Sequence, residues 1–172
     1  MSQITLFELL ALALLAYVTL ERLFELVVSR RHARALLAEG AYEVGRGHYP
    51  LIVGVHVLWL GALWVLLLRG DAGFQIVPAC LYLLVQILRF WTMRSLGAFW
   101  TTRIIVVPHA PLVTAGPYRF LRHPNYVVVA LEIALLPLAL ESWPLALVFS
   151  IANAGVLYVR IRAEDAALNN RR

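Results

Sequence analysis

Five apolar runs, each close to the width of a bilayer, dominate this sequence and decide what it can become. They extend over about Ile4 to Val28, with a core at Leu6 to Leu20, then Leu51 to Leu68, Phe74 to Met93, Tyr126 to Leu140 and Trp143 to Tyr158. A spanning helix takes about 20 residues, so five of them leave only some 70 of the 172 for loops and ends. Any chemistry must therefore be built from helix ends and short connections, because no large extramembrane domain fits. At 62% hydrophobic and 15% charged, the chain also lacks the polar surface of a water-soluble protein. The expectation is an all-α polytopic membrane protein of five transmembrane helices, forming one domain over 1–172. The last two spans come to about 23 Å each, which is short for a bilayer crossing.

The net charge of +5 comes from 15 basic residues, all arginine. Arg30, Arg31, Arg34 and Arg46 fall in the first loop, Arg94, Arg103, Arg119 and Arg122 in the third, and Arg160, Arg162, Arg171 and Arg172 after the fifth span. Only Arg69 falls on the other side. The positive-inside bias then predicts a multi-pass protein of the cell membrane, with the N-terminus outside and the C-terminus and both long loops cytoplasmic. No positive segment precedes the first apolar run and no small-residue site ends it, which argues against a cleaved signal peptide. Arginines placed as topology determinants, with no soluble domain to present them, exclude a nucleic-acid partner.

The third loop ends in Gly116-Pro117-Tyr118-Arg119-Phe120-Leu121-Arg122-His123-Pro124-Asn125-Tyr126. Gly116-Pro117 marks a turn, and Pro124 suits the first turn of the fourth span, where its missing N–H costs nothing. Arg122 and His123 then sit at a helix N-terminus, where backbone donors and the helix dipole favour an anionic group or lipid headgroups. After the fifth span, Arg160-Ile161-Arg162-Ala163-Glu164-Asp165 continues the helical pattern. Arg160 and Glu164 are one turn apart and can pair, whereas Asp165 points about 100° away from Glu164.

Together these segments resemble the isoprenylcysteine carboxyl methyltransferase family of integral membrane enzymes. The resemblance is strong from Leu96-Gly97 through Leu168. It extends more weakly to Glu21-Arg22-Leu23-Phe24-Glu25, Ser29-Arg30-Arg31 and His48-Tyr49-Pro50, which look like the small bacterial members. It implies an S-adenosylmethionine-dependent methyltransferase acting on a lipophilic acceptor at the cytoplasmic membrane face. The expected reaction is O-methylation of an alkylpyrone-like or isoprenyl/carboxyl compound. The third loop and the extension of the last helix would form the cofactor site. Carried over by position, Tyr118, His123, Pro124, Tyr126 and Glu164 would contact the cofactor, and Arg122, Arg160 and Asp165 would serve catalysis or acceptor orientation. Most relatives show two glutamates where this chain has Glu164-Asp165, so the second carboxylate reaches about one methylene less far. Methyl transfer from a sulfonium is an in-line displacement that rests on proximity and orientation and needs no covalent nucleophile.

Phospholipid N-methyltransferases share the Gly-Pro-Tyr and Arg-His-Pro style of signature and form an alternative. Membrane sterol reductases, which use NADPH, carry a similar Arg-His-Pro-Asn-Tyr segment but generally continue with a glycine and an acid, where Val127-Val128-Val129 stands here. A non-enzymatic scaffold whose arginines only set topology is the remaining reading.

Other marked residues have simpler expectations. Glu132, mid-span, should face the bundle interior in a helix-to-helix hydrogen bond, because an unpaired charge there is expensive. Arg22 and Arg89 should snorkel toward the arginine-rich face. Glu21 and Glu25 should pair with loop arginines. His32, His48, His56 and His109 have no metal-ligand spacing, and Cys80 stands alone, so no metal is expected. Trp59, Trp64, Trp91, Trp100 and Trp143 mostly fall near the expected interfaces, as an aromatic belt would. Within the loop from Ala33 to Gly47, Ala35 to Ala38 reads as a short surface helix ending at Gly40.

Overall fold

The computed structural model describes the backbone of residues 5–169 and side chains through Leu168; Ile4, Arg171 and Arg172 lie outside the described residues. Five α-helices carry the fold: α1 (Leu6–Ala38), α2 (Tyr49–Leu68), α3 (Ile76–Leu96), α4 (Pro124–Ala139) and α5 (Trp143–Asn169). Two short strands, β1 (Tyr42–Val44) and β2 (Ile104–Val106), join the two long loops.

Thr5 opens α1 with a capping box, its hydroxyl receiving the Glu8 N–H while the Glu8 carboxylate receives the Thr5 N–H at 2.7 Å. The helix then runs 33 residues, about 50 Å, which exceeds a hydrocarbon core of about 30 Å. Ala11, Leu15, Val18, Glu25, Ser29, Ala33 and Leu36 recur at three- and four-residue spacing and form its buried stripe. Ala35 to Ala38 is thus the end of α1 and not a separate surface helix; the apolar stripe continues through Ala33 and Leu36, so nothing interrupts the helix before Gly40, at φ 91°.

Three helical stretches are long and apolar enough to cross a membrane: Arg46–Leu68, Ile76–Phe99 and Trp143–Leu168. α4 is shorter, 16 residues or about 24 Å, and lies between α3 and α5. It is the best-buried helix, contributing Tyr126, Val129, Ile133 and Leu136, with its C-cap Leu140, to a core that also holds Leu15, Trp59, Leu63, Tyr82 and Leu157. At one end of the bundle, the Gln75 N–H donates to the Ala139 carbonyl at 2.8 Å and its amide to Glu141 at 2.7 Å, tying the α2–α3 and α4–α5 turns together. At the other end, β1 and β2 pair antiparallel with Glu43 opposite Ile105. That small sheet, absent from the all-helical expectation, fixes both long loops against α5.

Polarity runs opposite to that of a soluble protein. Phe90 is 67% exposed and Val77 70%, while Glu25, Arg89 and Glu132 are 3%, 5% and 2% exposed. Apolar surface outside and charge inside is the arrangement of a membrane protein. Arg89 does not snorkel: its guanidinium bonds both oxygens of Glu25 and reaches Glu132 at 2.5 Å. Arg22 turns inward as well, to Glu25 at 3.1 Å, Glu132 at 3.2 Å and Glu21 at 2.9 Å. Glu21 and Glu25 therefore pair with arginines of α1 and α3, not with loop arginines. Glu132 lies in the interior as expected and receives the Gln86 amide at 3.0 Å. Snorkelling loses because inward-facing carboxylates offer each guanidinium several charge-assisted hydrogen bonds at once. Trp59 and Trp100 are buried rather than part of a belt, and the Trp59 indole donates to the Ile133 carbonyl at 3.2 Å.

Candidate functional site

Strand β2, the third loop, the start of α4 and the emergent end of α5 line a cavity of about 510 Å³ at the arginine-rich end. Each wall follows from local sequence. Pro117 starts a 3-10 turn, Gly116–Arg119, that carries Tyr118 and Arg119. Gly116 makes the turn possible: its φ is 60°, and a Cβ there would meet Ser95 Oγ at 2.0 Å. His123 is the N-cap of α4, and Pro124 occupies the first turn as its missing N–H favours. α5 continues past the apolar run as one helix, presenting Arg160, Glu164 and Leu168 to the cavity from a single face.

Two acidic side chains of α5 join the start of α4. The Tyr126 hydroxyl donates to Glu164 Oε2. His123 Nε2 is 3.2 Å from Asp165 Oδ1, the same oxygen that Arg122 reaches at 2.7 Å. His123 Nδ1 faces Glu164 Oε1 at 3.9 Å. The 100° offset between Glu164 and Asp165 thus lets one helix hold both Tyr126 and the Arg122-His123 pair. Burial, reinforced by the nearby Glu164 carboxylate, holds the Tyr118 phenol well above its ordinary pKa, so it stays neutral.

Tyr118, Arg122, His123, Tyr126, Arg160 and Glu164 all line the cavity. Pro124 is buried in the first turn of α4, and Asp165 braces Arg122 and His123; neither is among the lining residues. Arg160 does not take the one-turn ion pair with Glu164 that its spacing allows. Its Nη2 donates to the Thr102 carbonyl at 2.8 Å. Thr102 is held in turn by Ser29 of α1, whose Oγ accepts the Thr102 N–H at 2.8 Å, and by the Tyr49 hydroxyl at 3.0 Å from Thr102 Oγ1. No spacing in the sequence marks this clamp, since each bonded pair joins residues more than 50 apart.

A second cavity, about 210 Å³, opens between α1, α2, α4 and α5 among Ile52, Val53, Leu60, Val129 and Leu157. Trp100, Asn125, Tyr126 and Arg160 line both spaces. Asn125 stands inside the Arg-His-Pro-Asn-Tyr segment, so its place was open to sequence reasoning; that of Trp100 was not.

Known proteins resemble this chain over most of its length. The chain is 42% identical over 158 residues to the uncharacterized protein YpbQ of Bacillus subtilis, covering 90% of this chain and 94% of that one. It is 29% identical over 154 residues to an uncharacterized Haemophilus influenzae protein, covering 87% and 89%. Residues 77–170, which contain the third loop, α4 and the α5 extension, match the isoprenylcysteine carboxyl methyltransferase family. The chain belongs to that family and is a membrane methyltransferase.

Proposed function

We propose that the protein transfers a methyl group from S-adenosylmethionine to a lipophilic acceptor at the cytoplasmic membrane face, by O-methylation of an alkylpyrone-like or isoprenyl/carboxyl compound. One observation carries this reading: a cavity at the loop end that holds charged side chains, Arg122 and Glu164 among them, and an apolar cavity among the helices share Trp100, Asn125, Tyr126 and Arg160 as a common wall. A water-soluble donor and a membrane-soluble acceptor need such adjoining spaces. The larger cavity, at about 510 Å³, falls in the size range of cofactor pockets, roughly 300–1,000 Å³. Its lining also offers charges of both signs, suited to a zwitterionic nucleoside.

The residues divide by chemistry. Glu164 and Tyr126 offer acceptor and donor atoms for hydroxyl or ammonium groups, while Tyr118 adds a neutral phenol. His123 and Arg122, braced by Asp165, place positive charge beside the start of α4, where a carboxylate is favoured. Pro124 sets that helix start. When bound, S-adenosylmethionine supplies an electrophilic methyl group on a good leaving group. Arg160, at the shared wall, orients the acceptor oxygen and stabilises its negative charge through the guanidinium. Aromatic and apolar neighbours exclude water from that oxygen.

Five spans, with the N-terminus outside and the arginine-rich end in the cytoplasm, complete the reading. α2, α3 and α5 cross by length and composition, α1 crosses by its first half, and α4 crosses enclosed by α3 and α5. The test is incubation of the purified protein with methyl-labelled S-adenosylmethionine and a lipid extract. Label is expected in an apolar lipid that becomes one methyl group heavier on oxygen. Label on phospholipid amines would favour the N-methyltransferase alternative, and saturable NADPH binding without methyl transfer would favour the reductase.

A further inference from the structure

The second cavity is lined by several polar side chains, most of them committed to each other, with Arg22 Nε and Trp100 Nε1 left as unpartnered donors among the described residues. Arg22 and Arg89 spend their terminal nitrogens on Glu21, Glu25 and Glu132. Thr19 donates to the Leu15 carbonyl at 2.8 Å and accepts the Trp64 indole at 3.0 Å. His56 differs. Its Nδ1 lies 2.8 Å from the Ile52 carbonyl, which can only accept, so Nδ1 carries the proton. The other nitrogen of the neutral ring, Nε2, is then a bare lone pair with no hydrogen-bond partner among the described residues, on a ring that lines the cavity.

The depth of His56 can be set against Arg160. Ser29, Thr102 and Tyr49 are bonded together and Thr102 holds Arg160, which defines one level in the bundle. His56 is seven residues beyond Tyr49 on α2, about 10 Å farther along the helix axis. Side chains lean toward the N-terminus of their own helix. α2 begins at the loop end and α5 ends there, so His56 and Arg160 lean toward one another across the cavity.

We infer that His56 is a specificity-determining residue: its Nε2 accepts a hydrogen bond from a hydroxyl or N–H on the lipid acceptor, a group separate from the oxygen that is methylated at Arg160. This rests on the methyltransferase reading and narrows its substrate class to an apolar-tailed ring or head that carries, besides the methylated oxygen, a second hydroxyl or N–H, which sets aside acceptors with a single donor group. A plain isoprenyl or alkyl carboxylate would leave the imidazole lone pair unmatched in an apolar space, which costs affinity. An ether oxygen at that position, being only an acceptor, would face it lone pair to lone pair.

The experiment titrates two lipids, a 5-alkylresorcinol and a 3-alkylphenol with the same tail, which lacks the second hydroxyl, into detergent-solubilised protein and follows tryptophan fluorescence. The wild-type protein should bind the diol at least tenfold more tightly than the phenol. His56→Leu should bind both within about twofold, and His56→Gln, whose amide oxygen restores an acceptor, should recover part of the preference. Equal affinities in the wild type, a preference that survives in both variants, or no binding of either lipid overturns the inference. If His56→Leu does not fold, the wild-type ratio and His56→Gln still decide. Binding of S-adenosylhomocysteine, measured on the same samples, reports separately on the methyltransferase reading: its absence beside an intact lipid preference removes that reading and leaves the His56 contact standing.

Discussion

The Tyr126 hydroxyl donates a hydrogen bond to Glu164, joining the first turn of α4 to the emergent end of α5 across 38 residues of sequence. This bond closes one side of the larger cavity and holds in place Glu164, the carboxylate among its described lining residues. A hydrogen bond to a charged group contributes about 1.5–3 kcal/mol. Tyr126→Phe should therefore weaken S-adenosylmethionine binding about tenfold or more while leaving the fold intact. Equilibrium dialysis with labelled cofactor measures it, and unchanged affinity would remove Tyr126 from the donor site.

The Glu25, Arg89, Glu132 and Arg22 cluster predicts a different phenotype. Removing one partner leaves an uncompensated buried charge, a loss of about 3–5 kcal/mol. Glu132→Ala should thus lower the thermal unfolding temperature in detergent sharply, and Glu132→Gln, which also loses the charge but keeps one acceptor oxygen for Arg89 or Gln86, should lower it less. Wild-type unfolding temperatures in both variants would show that the charge at this position does not hold α1, α3 and α4 together.

How much of this was legible in the sequence depends on how local each signal is. The ends of α2, α4 and α5 announce themselves through Pro50, Pro124 and the Trp143-Pro144 step, and the helix pattern continues openly from Tyr158 to Leu168. The meeting of Arg122-His123 with Glu164-Asp165 needed the family resemblance, since spacing within each segment says nothing about the distance between them. The destination of Arg89 was misread because snorkelling can be judged from one helix, whereas two carboxylates converging from α1 and α4 cannot. The β1–β2 pairing and the Ser29–Thr102–Arg160 chain were hidden for the same reason. Each three-residue strand is too short to show periodicity, and Ser29 and Thr102 look like any small polar residues.

That chain gives Ser29 a positioning role. Ser29→Ala removes the acceptor of the Thr102 N–H and a partner of its hydroxyl, loosening the carbonyl that anchors Arg160. Turnover should fall severalfold with the KM for the lipid acceptor rising, while cofactor affinity, which depends on the opposite wall, changes less than twofold. A parallel loss of cofactor binding would instead indicate general disruption of the third loop.

Gly116 offers a backbone test. An alanine there meets the left-handed φ, at about 1–2 kcal/mol, and places its Cβ 2.0 Å from Ser95 Oγ and 3.0 Å from the Trp91 indole nitrogen. Gly116→Ala should displace Tyr118 and weaken cofactor binding about tenfold. Adding Ser95→Gly should recover part of that loss, because it removes the hydroxyl but not the strain. Full recovery or none, read by the same dialysis, would contradict the packing described.

The central claim is that the start of α4 and the end of α5 together hold the methyl donor. Titration calorimetry of S-adenosylhomocysteine into the purified wild-type protein, Glu164→Ala and His123→Ala tests it most directly. Saturable one-to-one binding that weakens at least tenfold in each variant is the predicted result; wild-type affinity in both variants, or no binding by the wild type, would contradict it.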